Sequence, residues 1–65
     1  MAQLANLAIG AIFIVFPSGT EYEKVGEDGY CDADGIGFTG QEVAENHGYT
    51  SVQEMEQHVQ VKPQA

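Results

Sequence analysis

The sequence predicts an α+β fold: a small antiparallel sheet with short C-terminal helices packed on one face. Three observations lead there. An apolar run, Leu4–Phe16, ends at a Pro-Ser-Gly turn and is followed by six strictly alternating residues, the pattern of a hairpin. Two Ser/Thr caps then open helical patterns in the last third of the chain, after the strands rather than between them. At 65 residues there is room for one domain, 1–65.

Taken in order, residues 2–10 (AQLANLAIG) are rich in Ala and Leu and suit a helix start, whereas 11–16 (AIFIVF) are β-branched and aromatic and suit a strand. Leu7–Phe16 is read as one central strand, apolar on both faces and covered by helix on one side. Pro17-Ser18-Gly19 turns the chain. Along Thr20–Val25, residues Thr20, Tyr22 and Lys24 face one way and Glu21, Glu23 and Val25 the other, so one face is wet. Gly26–Gly29 is a second turn, with room for a short third strand from Tyr30-Cys31. The glycine-rich stretch Asp32–Phe38 is expected to be irregular. Thr39 with Glu42 forms a capping box for a helix over about Gln41–His47, ended by Gly48. Thr50 or Ser51 caps a second helix, whose apolar stripe is Val52, Met55 and Val59. The polar segment Gln60–Ala65, which contains Pro63, is expected to fray.

Composition bounds the chemistry. High charge with low hydrophobicity favours disorder, but 43% hydrophobic residues support a folded domain. A domain this small has a marginal core. The single cysteine, Cys31, cannot form an internal disulfide and fits a reducing cytoplasm. Cys31, His47 and His58 fall short of the four ligands of a structural zinc site. The apolar run is shorter than the ~20 residues that span a bilayer, and Met1-Ala2-Gln3 lacks the basic residues of a secretory signal. Neither membrane attachment nor a cofactor is expected.

Motifs are weak throughout. Counting a calcium loop from Asp32 places Gly37 sixth but Ile36 fifth and Val43 twelfth; counting from Tyr30 makes Gln41 the twelfth. Each register loses an essential ligand. Phe38–Met55 has the outline of a helix–turn–helix, yet its second helix bears Glu54 and Glu56, which repel DNA. Cys31, Ser18 and Ser51 as nucleophiles, with His47 and His58 as bases, match no catalytic signature. Gly35-Ile36-Gly37 with Gly40 spells GxGxxG without room for a dinucleotide fold. An enzyme is not expected.

What remains is the charge. Ten carboxylates oppose two lysines, for a formal net charge of −8. Self-repulsion of this size opposes folding, so it is expected to serve a basic partner. Glu21 and Glu23 lie two apart on a strand, hence on one face about 6.6–6.8 Å apart. Glu27 and Asp28 follow at the turn, and Asp32 and Asp34 repeat the two-residue spacing. Glu42 and Glu45 are helix neighbours, and Glu54 and Glu56 lie on the second helix. Only Glu23, beside Lys24, has an obvious local cation. Tyr22, Tyr30 and Tyr49 are candidate aromatic anchors for such an interface.

In size, acidity and lack of catalytic motifs, the whole chain resembles the small anti-CRISPR proteins that phages direct at type I surveillance complexes. Several of these act as DNA mimics. The resemblance implies an inhibitor in the host bacterial cytoplasm that blocks target DNA binding by a basic, Cascade-like complex, itself touching neither nucleic acid nor membrane, as a monomer or small homo-oligomer. It transfers no site residue. The alternative is a small structural or accessory phage protein that oligomerises through Leu7–Phe16, its acidity serving solubility.

Overall fold

The alternation read from Thr20–Val25 is realised in the computed structural model, which describes residues 3–63. Strand β1 (Ile12–Val15) and strand β2 (Thr20–Gly26) form an antiparallel hairpin in which Phe13 pairs with Tyr22 and Ile14 with Glu21. Strands β3 (Gly29–Cys31) and β4 (Gly37–Phe38) follow, then helices α1 (Gly40–Asn46) and α2 (Val52–Glu56), and finally β5 (Val59–Val61). The five strands form one antiparallel sheet in the order β4-β3-β2-β1-β5. The fold class is α+β. Among the described residues, no helix is long and apolar enough to cross a membrane.

The helix signals act where the sequence put them. Thr39 accepts from the Glu42 amide while the Glu42 carboxylate accepts from the Thr39 amide, a complete capping box. His47 is the C-cap, and Gly48 follows at φ +80°. The Gly48 amide donates to Glu45 and the Tyr49 amide to Ala44, which closes the helix in a Schellman motif. Ser51 caps α2 by accepting from the Glu54 amide, and Glu54 reaches back to the Thr50 amide. Gly40 is required for close approach: a Cβ there would lie 3.1 Å from Asp28 Oδ1 and 3.5 Å from Tyr30 and Val52.

The helices cover one face of the sheet. There Leu4, Phe13, Val15, Tyr22, Tyr30, Val43, Ala44 and Met55 form the core, with Phe38, Val59 and Val61 packed at its margin. Phe13 stacks on Tyr22 at 5.8 Å between ring centroids and meets Tyr30 edge-on at 5.5 Å. Aromatic pairs of this kind add ~0.5–1.5 kcal/mol each beyond the area they bury.

Four expectations need correction. The central strand of the sheet is β2, and β1 is only Ile12–Val15, because Leu4–Asn6 forms a 3-10 turn that lays Leu4 into the core. Val59 belongs to β5 rather than to the second helix. Gln60 and Val61, expected in a polar tail, belong to β5: Val59 and Val61 alternate around Gln60, pair with Val15 and Phe13, and pack beneath the core edge. Residues 64–65 lie outside the described residues. The glycine-rich acidic stretch contributes β4, and Asp32 orders its turn by accepting from the Asp34 and Ile36 amides at 2.9 and 3.0 Å.

Candidate functional site

Strand alternation gives every side chain on one face of the sheet an opposite number on the other. Opposite the core lie Ile12 and Ile14 of β1, Glu21, Glu23 and Val25 of β2, Cys31 of β3 and Gln60 of β5. Among the described residues no element covers them: Ile12 is 37% and Val25 47% exposed. A shallow groove on this face is lined by Ile12, Glu21, Glu23, Cys31, Asp32 and Ala33, and the adjoining hollow by Thr20, Glu21, Asp32, Ala33 and Asp34. Four of the sequence-predicted carboxylates are thus brought together: Glu21, Glu23, Asp32 and Asp34.

The other six are elsewhere. Glu27 and Asp28 sit at the β2–β3 turn, and Asp28 Oδ1 accepts from the Gly40 amide at 3.2 Å. Glu42 and Glu45 are on α1, and Glu54 and Glu56 on α2, behind the sheet. Glu42 and Glu54 cap helices, Glu45 accepts from the Gln41 side chain, and Glu56 accepts from the Leu4 amide at 2.8 Å. Asp28, Glu42, Glu54 and Glu56 thus satisfy backbone donors that helix ends and turns leave open. Glu23, Glu27 and Asp34 have no side-chain partner among the described residues.

Both lysines are engaged within the chain. Lys24 does not pair with Glu23, because neighbours on a strand point to opposite faces. It is 3% exposed, and its ammonium donates to the Leu4 and Ala5 carbonyls at 2.9 and 3.2 Å. Leu4 is therefore held on both sides, its amide by Glu56 and its carbonyl by Lys24. Lys62 lies 3.4 Å from Glu21 across the open face. The sequence offered no local signal for that pair, which spans 41 residues.

The aromatic anchors divide likewise. Tyr22 and Tyr30 are 5% and 2% exposed and belong to the core, so they are not presented to a partner. Burial raises both phenol pKa values, with Asp32 adding to the shift at Tyr22 and Asp28 and Glu56 at Tyr30. Tyr49 is half-buried: its ring stacks on His58 at 5.2 Å and its hydroxyl donates to the Phe16 carbonyl at 2.6 Å.

One cluster joins residues that looked unrelated in sequence. His47 Nε2 lies 2.8 Å from the Tyr22 hydroxyl and Nδ1 3.2 Å from Ser18 Oγ. Ser18 Oγ also reaches the Val15 carbonyl, which can accept only the hydroxyl proton. Nδ1–H then donates to Ser18, and Tyr22 donates to Nε2. Through these contacts the histidine ties the end of α1 to the β1–β2 turn. Burial lowers the His47 pKa, consistent with a neutral ring.

No family model matches the chain, and no curated protein or solved structure matches it either.

Proposed function

We propose that this chain is an acidic protein-binding module that occupies the nucleic-acid path of a basic partner, an inhibitor working as a DNA mimic. The observation that carries the reading is the fate of its charges. Ten carboxylates oppose two lysines; one lysine is buried against carbonyls and the other is held by Glu21. Several acids have work inside the fold, as caps and straps. Glu21, Glu23 and the Asp32–Asp34 turn, which Asp32 itself orders, gather along the sheet face left uncovered among the described residues.

Such a face attracts cations over a range of about a Debye length and speeds the approach of a positively charged surface. DNA itself is repelled. A lysine- and arginine-lined channel built for phosphates binds carboxylates by the same release of counter-ions. The Glu21–Glu23 spacing of about 6.6–6.8 Å is roughly twice the 3.4 Å per charge of one DNA strand, so the mimicry is of charge sign and line, not of every phosphate. The rigid sheet pre-arranges these groups, which lowers the ordering cost of binding. The resemblance to small anti-CRISPR proteins makes a type I surveillance complex the first partner to test.

The experiment is capture from bacterial lysate on the immobilised protein, with elution at stepped salt. The expected result is retention of a nucleic-acid-binding complex that elutes as salt rises and is displaced by duplex DNA. The Glu21→Lys/Glu23→Lys double variant should retain at least about tenfold less, a difference of ~1.4 kcal/mol. A partner that is held equally by the variant, or that duplex does not displace, overturns the reading.

A further inference from the structure

We propose that the open face seats a cationic amphipathic helix of the partner, with Ile12, Ile14 and Phe16 as its apolar seat and Glu21, Glu23, Asp32 and Asp34 as its acidic wall. The inference rests on the reading above, that the partner is a basic protein, and specifies which part of it is gripped.

Three features converge. The first is an apolar column in the interior of the sheet. Ile12, Ile14 and Phe16 alternate with the buried Phe13 and Val15 and so fall on the uncovered side; Ile12 is 37% exposed, Phe16 39%, and Ile14 is half-buried. β1 is flanked by β2 and β5, so this column is not a sheet edge. From Ile12 to Phe16 is four strand rises, about 13 Å, or some two and a half turns of α-helix.

The second is the asymmetry of its flanks. On β2, Glu23 pairs with Ile12 and Glu21 with Ile14, and the Asp32–Asp34 turn extends the acid outward. On β5 the neighbours are Gln60 and then Lys62. Adjacent strands are about 4.8 Å apart and a helix is about 10–12 Å across, so a helix lying on the apolar column reaches the acidic wall on one side. The matching partner has apolar residues at i, i+3 or i+4, and i+7, with Lys or Arg along one flank.

The third is what the charges exclude. A second copy docked face to face would set Glu21, Glu23, Asp32 and Asp34 against their own counterparts, with only Lys62 to offset them. Like-charge juxtaposition of this kind costs several kcal/mol. Nucleic acid is repelled outright. A helical layer also completes the architecture, since a sheet face with an apolar column is ordinarily covered by helix or sheet.

The test titrates the full chain with three fluorescent 14-residue peptides: a Leu/Lys peptide with leucines at helical spacing, a scrambled peptide of the same composition, and a lysine peptide of equal charge. The amphipathic peptide should bind at least about tenfold tighter than either control. Its amide NMR shifts should cluster at Ile12–Phe16 and Glu21–Glu23, leaving α1 and α2 unmoved. Ile12→Thr/Ile14→Thr, which keeps β-branching, should lower its affinity about tenfold. Glu21→Gln/Glu23→Gln should flatten its salt dependence. Equal binding of all three peptides, or shifts on the helices, overturns the helix seat and leaves the basic-partner reading standing. No binding of any peptide at low salt overturns both. Concentration-dependent dimerisation abolished by the threonine variant would assign the face to a second copy and overturn the inference.

Discussion

The two faces of strands β1 and β2 carry opposite chemistry on the same backbone. Toward the helices, Phe13, Val15, Tyr22 and Lys24 are each no more than 5% exposed. Toward the open side, Ile12, Ile14, Glu21, Glu23 and Val25 meet no covering element among the described residues. In a domain of this size apolar side chains are scarce, and burying one contributes ~1.5–3 kcal/mol. On the open face Ile12 and Phe16 stay 37% and 39% exposed beside carboxylates, so part of that contribution is not realised in the isolated chain. The difference teaches that one face is selected by folding, while the other sets apolar and acidic side chains side by side at the surface.

The sharpest way to break the comparison is one substitution on each face of β1. Phe13→Ala removes a fully buried ring that contacts Tyr22 and Tyr30, and should cost about 3–5 kcal/mol, enough to unfold much of a domain this small. Ile12→Thr, the adjacent residue, should change stability by less than ~1 kcal/mol, because its side chain already meets water. Urea unfolding followed by circular dichroism measures both. Similar losses on the two faces would mean that something covers the open side in solution.

A comparison of the two lysines comes next in size. Lys24→Met keeps an unbranched stem in the core but leaves the Leu4 and Ala5 carbonyls without their donor. A loss of about 1–3 kcal/mol is expected, with the urea midpoint lowered and the slope unchanged. Lys62→Met breaks an exposed 3.4 Å pair with Glu21 and should alter stability by no more than ~0.5 kcal/mol. Its effect should appear instead in binding, since it uncovers Glu21.

How much of this was legible in the sequence depended on the range of the signal. The hairpin, the capping box at Thr39 and Glu42, the Ser51 cap and the Gly48 terminator are set by residues within a few positions of one another, and local chemistry decides them. The wet face of β2 was equally plain from its alternation. β5 was not, because Val59-Gln60-Val61 is too short to outweigh its polar surroundings and Pro63, and only pairing with Val15 and Phe13 makes it a strand. Lys24 resembled a partner for Glu23 in one dimension, and pleating sends the two to opposite faces. Tyr22 and Tyr30 looked like anchors because tyrosine suits interfaces, yet alternation already placed Tyr22 with Lys24 on the side opposite Glu21 and Glu23. Of the ten carboxylates, spacing alone suggested pairs; the return of the Asp32–Asp34 turn alongside Glu21 and Glu23 needed the tertiary fold.

The smallest effect concerns the hinge between the covered face and the turn that leads onto the open one. His47 at the end of α1 accepts from the buried Tyr22 and donates to Ser18 in the β1–β2 turn, and burial lowers its pKa below the ordinary 6.5. The unfolded chain therefore takes up the proton more readily than the folded one. This contribution to stability is fully present above about pH 6.5 and is lost as pH falls from there through the lowered folded value. Tyr22 and Tyr30, whose pKa values are raised chiefly by burial, act at the other end: their contribution holds below pH 10 and fades above it. His47→Gln keeps a donor and an acceptor at the α1 end but cannot titrate. Thermal unfolding across pH 5 to 8 should show the wild-type midpoint falling below pH 6.5 more steeply than that of His47→Gln, with the two curves parallel above pH 7. Parallel curves throughout would mean that His47 titrates in the folded chain as it does in the unfolded one, and that the tie between α1 and the turn does not depend on a neutral ring.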